Sequence, residues 1–145
     1  MKTKIEIKSV LGKVLFEFEK ENNSIKETLL EAIKQKIDLR GSNLSYSDLR
    51  YSNLIGSNLS GSNLRGSDLN GSDTDKRYIQ ISCIGSAKRL TTYCFEDDKI
   101  WCGCFTGTLE EFKKQVKETH DNNPQYLAEY LLFVEYLKSL KMVGE

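Results

Sequence analysis

The sequence predicts a mainly β protein with α-helices, built around a short stack of repeated units. Three observations predict this class. A five-residue pattern recurs over 37–75, alternating apolar and polar residues flank it on both sides, and helix-start signals open three amphipathic segments. We therefore expect three segments: a β-hairpin with a helix over 1–36, the repeat over 37–75, and an α+β unit over 76–145.

Each repeated unit has a leucine at its centre. These leucines are Leu39, Leu44, Leu49, Leu54, Leu59, Leu64 and Leu69. A serine follows each leucine three residues later, and Asn or Asp stands between that serine and the next centre. A period of five fits neither an α-helix, at about 3.6 residues, nor a strand, at about 2. A short fixed period instead indicates a solenoid, in which each unit buries its apolar residue by stacking on a neighbour.

Upstream of the repeat, the sequence predicts a hairpin followed by a helix. Residues 4–9 and 14–18 alternate apolar and polar side chains, which is typical of two paired strands. Ser24 and Glu27 form a capping box that opens a helix over 25–36. We expect this short amphipathic helix to close the near end of the repeat, where leucines would otherwise be exposed.

Downstream of the repeat, the sequence predicts a small α+β unit. Three alternating segments predict a meander with strands at 78–84, 90–95 and 100–105. Thr108 and Glu111 form a second capping box that starts a helix ending near Thr119. Asn123-Pro124 starts another helix, whose predicted apolar stripe is Leu127, Tyr130, Leu131, Val134, Leu137 and Leu140. We expect this unit to close the far end of the repeat.

The repeated units resemble those of the pentapeptide-repeat family, which read Ala, Asp or Asn, Leu and two variable positions. The resemblance implies a right-handed quadrilateral β-helix, in which each unit is one side of a square and four units make a coil. Residues twenty apart would then stack about 4.8 Å apart, and the seven leucines would fill under two coils. Serine replaces the family's inward-pointing small apolar residue in every unit but the first, so its hydroxyl needs a partner, most simply a neighbouring backbone carbonyl.

The two variable positions after each leucine face outward in the family. Four of these residues form a predicted interface: Tyr46, Arg50, Tyr51 and Ile55. Tyr and Arg are favoured where proteins bind each other, so these residues favour a protein partner or self-association. The alternative is that the Tyr46 and Tyr51 rings cover Gly66 and Gly71 on the adjacent coil.

A second candidate site lies where the meander meets its first helix. The predicted ligand-binding residues are Lys88, Arg89, Trp101, Thr106, Gly107 and Thr108. Backbone amides at a helix N-terminus bind anions, the two basic residues add charge, and the indole offers a stacking surface. The sequence therefore predicts a site for a phosphate or a nucleotide. The alternative is that Thr108 and Glu111 satisfy these amides themselves and that Lys88-Arg89 is an exposed turn.

The cysteines and the single histidine give little support for chemistry. The cysteines are Cys83, Cys94, Cys102 and Cys104. Cys-Gly-Cys has one intervening residue where zinc sites usually have about two to four, so buried free thiols are expected, with metal binding, a disulfide or a redox role as alternatives. His120 is placed at a helix C-terminus, where it interacts favourably with the helix dipole. No catalytic residue, cofactor or metal site is predicted, and an enzyme is the least supported class.

The charge distribution excludes other classes of function. The net charge is zero overall, +2 over 1–36, −2 over 37–75 and zero over 76–145. No basic stripe indicates DNA binding, and no apolar run is long enough to span a membrane. The N-terminal residues lead into a polar strand rather than a signal peptide, which favours a cytoplasmic protein.

The sequence thus predicts a non-catalytic binding or interaction protein. Sequestration of a small anionic ligand or nucleotide messenger, by the C-terminal unit or between subunits, is the alternative. The chain also resembles small pentapeptide-repeat proteins of bacteriophages and bacteria, which implies interference with a host pathway. DNA mimicry against a topoisomerase is less favoured, because it implies a long acidic rod and this repeat is short and sums to only −2.

Overall fold

The computed structural model describes residues 1–82, 84–86 and 90–143. Within these ranges the chain is a mixed α/β protein with two antiparallel sheets and three helices. The chain forms two compact units, Met1–Arg77 and Tyr78–Glu145. None of the helices described is long and apolar enough to cross a membrane.

The first unit opens with the predicted hairpin. Strand β1 spans Lys2–Lys8 and strand β2 spans Val14–Glu21, and the two pair antiparallel with an irregularity after Ile7. The prediction of a hairpin is confirmed, although both strands are longer than the apolar alternation indicated. The pairing continues to Lys2 and Glu21, where the N-terminal amine lies 2.7 Å from the Glu21 carboxylate.

Helix α1 spans Ile25–Lys34 and begins at the predicted cap. The Ser24 hydroxyl accepts a hydrogen bond from the Glu27 N–H at 3.1 Å. The second bond of the predicted capping box, from the Ser24 N–H to the Glu27 side chain, is wrong. The Ser24 N–H donates instead to the side chain of Asn23 at 2.9 Å, and Lys20 Nζ donates to the Glu27 carboxylate at 2.9 Å.

Helix α1 also ends two residues before the predicted end at Lys36. Lys36 has a φ of +59°, so it has left the helical conformation. Its N–H donates to the Ile33 carbonyl, and the next N–H, of Ile37, donates to the Ala32 carbonyl, both at 3.0 Å. This pair of bonds is a Schellman motif, which ends the helix and directs the chain into the repeat without a glycine.

Every unit of the repeat bends at a residue with positive φ, and most units close with a hydrogen-bonded tight turn. In five units the serine N–H donates to the carbonyl of the leucine three residues earlier, at 3.0–3.2 Å. The residue before each serine has a φ between +57° and +90°; these residues are Gly41, Tyr46, Tyr51, Gly56, Gly61, Gly66 and Gly71. A positive φ at the third of four residues is typical of a type II turn and explains why five of the seven are glycine.

The Asn or Asp of each unit has a structural role that the sequence alone did not reveal. In seven units its side-chain Oδ1 accepts a hydrogen bond from the N–H two residues later, at 3.0–3.2 Å. Asn and Asp both carry this oxygen acceptor, so either residue serves. The alternation of Asn and Asp along the repeat is therefore neutral for this bond.

Residues twenty apart pair in parallel, as predicted. The parallel bridges are Asn43↔Asn63, Asp48↔Asp68 and Asn53↔Asp73. Bonds on both sides of each bridge form a ladder; for example, the Leu44 N–H donates to the Asn63 carbonyl at 2.9 Å. The ladder ends where the Gly56 N–H donates to the side chain of Asp75 at 2.8 Å rather than to a backbone carbonyl.

The repeat buries its leucines and pairs its serines with the backbone. All seven leucines are between 0% and 7% exposed. The Ser52 hydroxyl donates to the Leu49 carbonyl at 2.5 Å, and the same bond recurs at Ser57, Ser67 and Ser72. The Ser42 hydroxyl lies 3.0 Å from the Ser62 hydroxyl. The Ser62 hydroxyl also donates to the Leu39 carbonyl at 3.3 Å, so the predicted carbonyl partner is confirmed for five serines, with a serine–serine pair as an addition.

The hairpin and α1 contact the first units of the repeat directly. The Val10 N–H donates to the Gly41 carbonyl at 2.8 Å, and the Asn43 N–H donates to the Lys8 carbonyl at 2.7 Å. From α1, Lys26 Nζ donates to the Arg50 carbonyl at 2.8 Å. The near end of the repeat thus has the predicted neighbours. Closure of the far end by the C-terminal segment stays a prediction.

The second unit contains a four-stranded antiparallel sheet rather than the predicted three-stranded meander. The strands are β3, Tyr78–Ile81; β4, Thr91–Cys94; β5, Lys99–Cys102; and β6, Phe105–Gly107, in that order across the sheet. The predicted third strand, 100–105, is wrong because it contains a two-residue turn at Gly103 and Cys104. Gly103 has a φ of +56°, and glycine at this position is typical of a type II′ hairpin.

Two helices cover this unit's core. Helix α2 spans Leu109–Thr119 with a complete Thr108–Glu111 capping box, and helix α3 spans Pro124–Val143; both starts are as predicted. The predicted stripe on α3 needs correction. Phe133 is buried with Tyr130, Val134 and Leu137, whereas Leu127, Leu131 and Leu140 are only partly buried.

We expect Gly66→Ala to destabilise the first unit more than Gly61→Ala does. Both glycines have positive φ, so either alanine costs about 1–2 kcal/mol. Only at Gly66 would the new Cβ also overlap the Tyr46 ring, whereas at Gly61 it would lie 3.8 Å from its nearest neighbour. Urea unfolding measures the two losses.

A Tyr46→Ala background provides the control for this comparison. Without the ring, the cost of Gly66→Ala should fall to that of Gly61→Ala, as a double-mutant cycle reports. Equal costs for the two alanines in the native background would contradict the ring contact.

Candidate functional site

The structure brings most of the predicted ligand-binding residues together on β5 and β6. Trp101 pairs with Thr106 across the hairpin, and Gly107 and Thr108 follow directly. Trp101 is only 3% exposed, so its ring offers no open stacking surface, and Lys99 Nζ lies 5.3 Å from its centroid. Lys88 and Arg89 lie outside the residues that the structure describes.

Protein groups already bind the backbone amides at the start of α2. The Thr108 N–H donates to the Glu111 carboxylate at 2.9 Å, and the Leu109 N–H donates to Asp98 Oδ1 at 3.2 Å. The Glu111 N–H donates to the Thr108 hydroxyl at 3.2 Å. This is the capping alternative that the sequence left open. Anion binding at these residues stays a prediction, and the two carboxylates beside the amides weigh against it.

Asp98 ties the N-terminus of α2 to the preceding sheet. The same Oδ1 that accepts from Leu109 also accepts from the Tyr93 hydroxyl at 2.8 Å. Burial, and then this bond to Asp98, raise the pKa of Tyr93. The carboxylate therefore has two fixed donors, which holds the β4–β5 turn against the helix.

A cavity of about 470 Å³ lies toward the opposite, C-terminal end of α2. We call it the α2 cavity. Four ring-bearing residues contribute to its walls: Phe105, Phe112, His120 and Tyr130. Its volume falls within the range of about 300–1,000 Å³ that small-molecule sites occupy. Its volume and its ring-lined walls make it a candidate ligand site in this unit.

A row of three hydrogen-bonding groups lines the α2 cavity. The Ser86 hydroxyl lies 3.3 Å from His120 Nε2 and 3.2 Å from the Tyr130 hydroxyl. The His120 ring stacks on Tyr130 at a centroid distance of 5.3 Å and meets the edge of Tyr126 at 5.7 Å. These two contacts fix the orientation of the imidazole beside Ser86.

The chain positions this row through a helix end and a glycine. His120 is the C-cap of α2, and its N–H donates to the Val116 carbonyl at 2.9 Å. Gly85 has a φ of +55° and lies so close to Tyr130 that a Cβ there would overlap the ring. Glycine at 85 therefore lets the loop bring Ser86 within reach of both partners.

The described cysteines differ in environment. Cys102 lines the α2 cavity but is buried, and its sulfur accepts a bond from the Thr91 hydroxyl at 3.3 Å. Burial raises the pKa of the Cys102 thiol. Cys94 is buried as predicted, whereas Cys104, at the β5–β6 turn, is exposed, so the prediction of buried thiols is wrong there. Cys83 lies outside the described residues.

The described residues include no group of three or more His, Cys, Asp or Glu side chains arranged to hold a metal ion. Sequence reasoning placed His120 correctly at a helix C-terminus but missed its place in a cavity. The available signal was the short connection between α2 and α3, which brings the end of one helix against the first turns of the next. Tyr126 and Tyr130, four apart on α3, then face His120 together.

The predicted interface residues are all exposed, and we call this set the tyrosine face: Tyr46, Arg50, Tyr51 and Ile55. Tyr46, Tyr51 and Ile55 are 60%, 73% and 51% exposed. The two tyrosine rings lie against Gly66 and Gly71, where any Cβ would overlap them. The predicted covering of these glycines is therefore present, and most of each ring still faces outward.

Arg50 is held in place between the two tyrosines. Its Nε and Nη2 each donate to the Asp48 carboxylate at 2.8 Å, and its Nε lies 3.8 Å from Asp68. The bond to Asp48 raises the pKa of Arg50, and the same bond lowers the pKa of Asp48. The charge of Arg50 is thus largely balanced by its own neighbours.

The ladder and the repeated turn define a tandem-repeat protein. The family model for pentapeptide repeats matches residues 36–73 in eight copies, which is about a quarter of the chain. Residues 36–73 therefore consist of pentapeptide repeats. Neither a curated protein nor a solved structure matches the chain. Pentapeptide repeats indicate a non-enzymatic fold used in protein interactions.

We expect an alkylating reagent to modify Cys104 well before Cys102 at mildly alkaline pH. The thiolate is the reacting species, so burial and a raised pKa both slow Cys102, whereas Cys104 is exposed. Peptide-mapped mass spectrometry of a time course measures the two rates. As a control, the modification rates of Cys102 and Cys104 should become similar when the protein is unfolded in urea. Faster modification of Cys102 than of Cys104 in the folded protein would contradict the structure.

Proposed function

We propose that this protein is a non-catalytic binding protein whose repeat presents the tyrosine face to a protein partner. In this proposal the repeat is a short right-handed quadrilateral β-helix of slightly under two coils. The parallel pairing of residues twenty apart supports it, since four five-residue units then return the chain to the same side.

The observation that carries the proposal is the backbone conformation of Tyr46 and Tyr51. Both have positive φ, +57° and +58°, at a position where the other five units have glycine. This conformation costs an L-residue about 1–2 kcal/mol that glycine avoids. Packing on the opposing glycines offsets part of that cost, but most of each ring gains no burial. Strain retained at an exposed surface is typical of functional residues.

The tyrosine face is also preorganised for binding. Each ring is seated on a glycine and Arg50 is held by two bonds, so little side-chain freedom remains to be lost on association. Tyr and Arg are the residue types most favoured at the centres of protein interfaces. Because Asp48 and Asp68 balance Arg50, the surface suits an aromatic or apolar patch on a protein better than a phosphate backbone.

We expect the double variant Tyr46→Gly with Tyr51→Gly to fold and to lose partner binding. Glycine already occupies the equivalent position in five units, so the turns should form with less strain. Folding is checked by urea unfolding. Binding is measured with a photo-crosslinking residue at Ile55, in a bacterial lysate and with purified protein alone, because the resemblance favours a bacterial host.

The control is Leu11→Ser, which removes an exposed apolar side chain from the hairpin turn. The proposal requires one cross-linked protein, identified by mass spectrometry, that is captured by the native chain and by Leu11→Ser but not by the double variant. A cross-link between two copies of this chain, with a doubled solution mass, would identify the partner as a second copy. The same cross-links in the double variant would refute the proposal.

A second candidate function is the binding of a small molecule by the second unit. The α2 cavity favours it, because its volume and its mixture of ring walls with a few polar groups are typical of ligand sites. This function is independent of the tyrosine face. A protein with both would combine an interaction surface with a ligand site.

A further inference from the structure

We propose that the α2 cavity takes an uncharged aromatic heterocycle, of which a nucleobase is the closest biological example, rather than an anion. The inference rests on the second candidate function and specifies its ligand. It replaces the anionic ligand that the residues around Thr108 indicated. Three features of the cavity support it: the absence of charged side chains among the described residues that line it, its position on α2, and its combination of flat walls with one polar side.

The described residues that line the α2 cavity include no Lys, Arg, Asp or Glu. A charged group placed there would lose water without gaining an opposite charge, and such burial costs several kcal/mol. His120 is the one cavity-lining base among them, and its ring is already engaged with Ser86 and Tyr130. The lining therefore favours a neutral ligand over a phosphate or an ammonium group.

The polarity of α2 disfavours an anion in the same place. The cavity is lined by residues from the last two turns of the helix, including Gln115, Val116 and Thr119. Carbonyl oxygens at a helix C-terminus carry partial negative charge, which repels anions. The opposite end of α2 would attract an anion, but Glu111 and Asp98 already accept from its amides.

The walls and the polar row fit a flat ring with hydrogen-bonding edges. The Phe112 ring lies 5.5 Å from Phe105 and 5.7 Å from Tyr130, at different tilts, so the lining offers aromatic surface in more than one orientation. Ser86, His120 and Tyr130 can each donate or accept a hydrogen bond. A heterocycle that presents donors and acceptors along one edge would match this row while its faces pack on the rings.

The reactivity of a native cysteine can report whether a ligand occupies the α2 cavity. Cys104 is exposed and also lines the α2 cavity, so a bound ligand should shield its thiol from an alkylating reagent. Cys102 also lines the cavity but is buried, and it reacts too slowly to interfere. Peptide-mapped alkylation therefore reports binding at this site rather than elsewhere on the protein.

The experiment compares matched neutral and anionic probes on the full-length protein. Adenosine, guanosine, cytidine and uridine are titrated by calorimetry beside their 5′-monophosphates, with choline as a cationic probe. We expect at least one nucleoside to bind and to slow Cys104 alkylation. We expect its monophosphate to bind at least tenfold more weakly, because the described lining residues supply no positive charge to balance the phosphate.

Variants locate the binding. Ser86→Ala and Tyr130→Phe each remove one hydroxyl of the polar row and should weaken nucleoside binding about threefold to tenfold. The matched controls are Ser139→Ala and Tyr136→Phe on the exposed side of α3, which should bind as the native chain does. If Tyr130→Phe does not fold, Ser86→Ala still tests the site.

Charge reversal tests the competing anion site. Lys88→Glu with Arg89→Glu, two and three residues beyond Ser86 in the chain, should leave nucleoside affinity within twofold of the native value. Tighter binding of a monophosphate than of its nucleoside, or binding lost on this charge reversal, would overturn the uncharged ligand but keep the ligand-binding function. Selective binding of choline would do the same. Failure of all probes to bind or to protect Cys104 would overturn both.

Discussion

The whole repeat depends on a turn that closes every five residues. In five units the carbonyl of the central leucine accepts the N–H of the serine three residues later, and in four units it accepts that serine's hydroxyl. The Asn or Asp of each unit fixes the start of the same turn through its side-chain oxygen. A chain that bends every five residues cannot pair all its backbone N–H and C=O groups in long strands. These local hydrogen bonds satisfy such groups, and the leucine side chain points inward.

The turn links the stability of the repeat to its outer surface. Because each turn needs a positive φ, glycine is the usual residue, and a row of glycines leaves bare backbone on the outside. At Gly66 and Gly71 that bare surface is the seat for a tyrosine from the unit twenty residues earlier. Glycine therefore allows the positive φ of the turn and also leaves a flat surface on which an aromatic ring can pack. The tyrosine face is a direct product of this repeat geometry.

Local patterns allowed much of the fold to be predicted, and contacts distant in the chain account for the rest. The Thr108–Glu111 capping box was readable because it follows from a few neighbouring residues, and the twenty-residue stacking was implied by the resemblance to pentapeptide repeats. The split of 100–105 into β5 and β6 was missed because a two-residue turn needs only Gly103 and leaves the apolar alternation almost unchanged. The α2 cavity was not predictable, since Ser86, the β5–β6 turn, the end of α2 and Tyr130 meet only in the folded unit.

The two ends of α2 show why a helix terminus alone is a poor guide to a ligand site. Its N-terminus has the amides and the positive dipole end that attract anions, yet Glu111 and Asp98 already bind two of those amides and bring negative charge with them. Its C-terminus has no such attraction, yet its last turns contribute to an open space with polar groups held in fixed positions around Ser86. A ligand needs room as well as polar groups, and in this unit the C-terminal end of the helix has a cavity beside it.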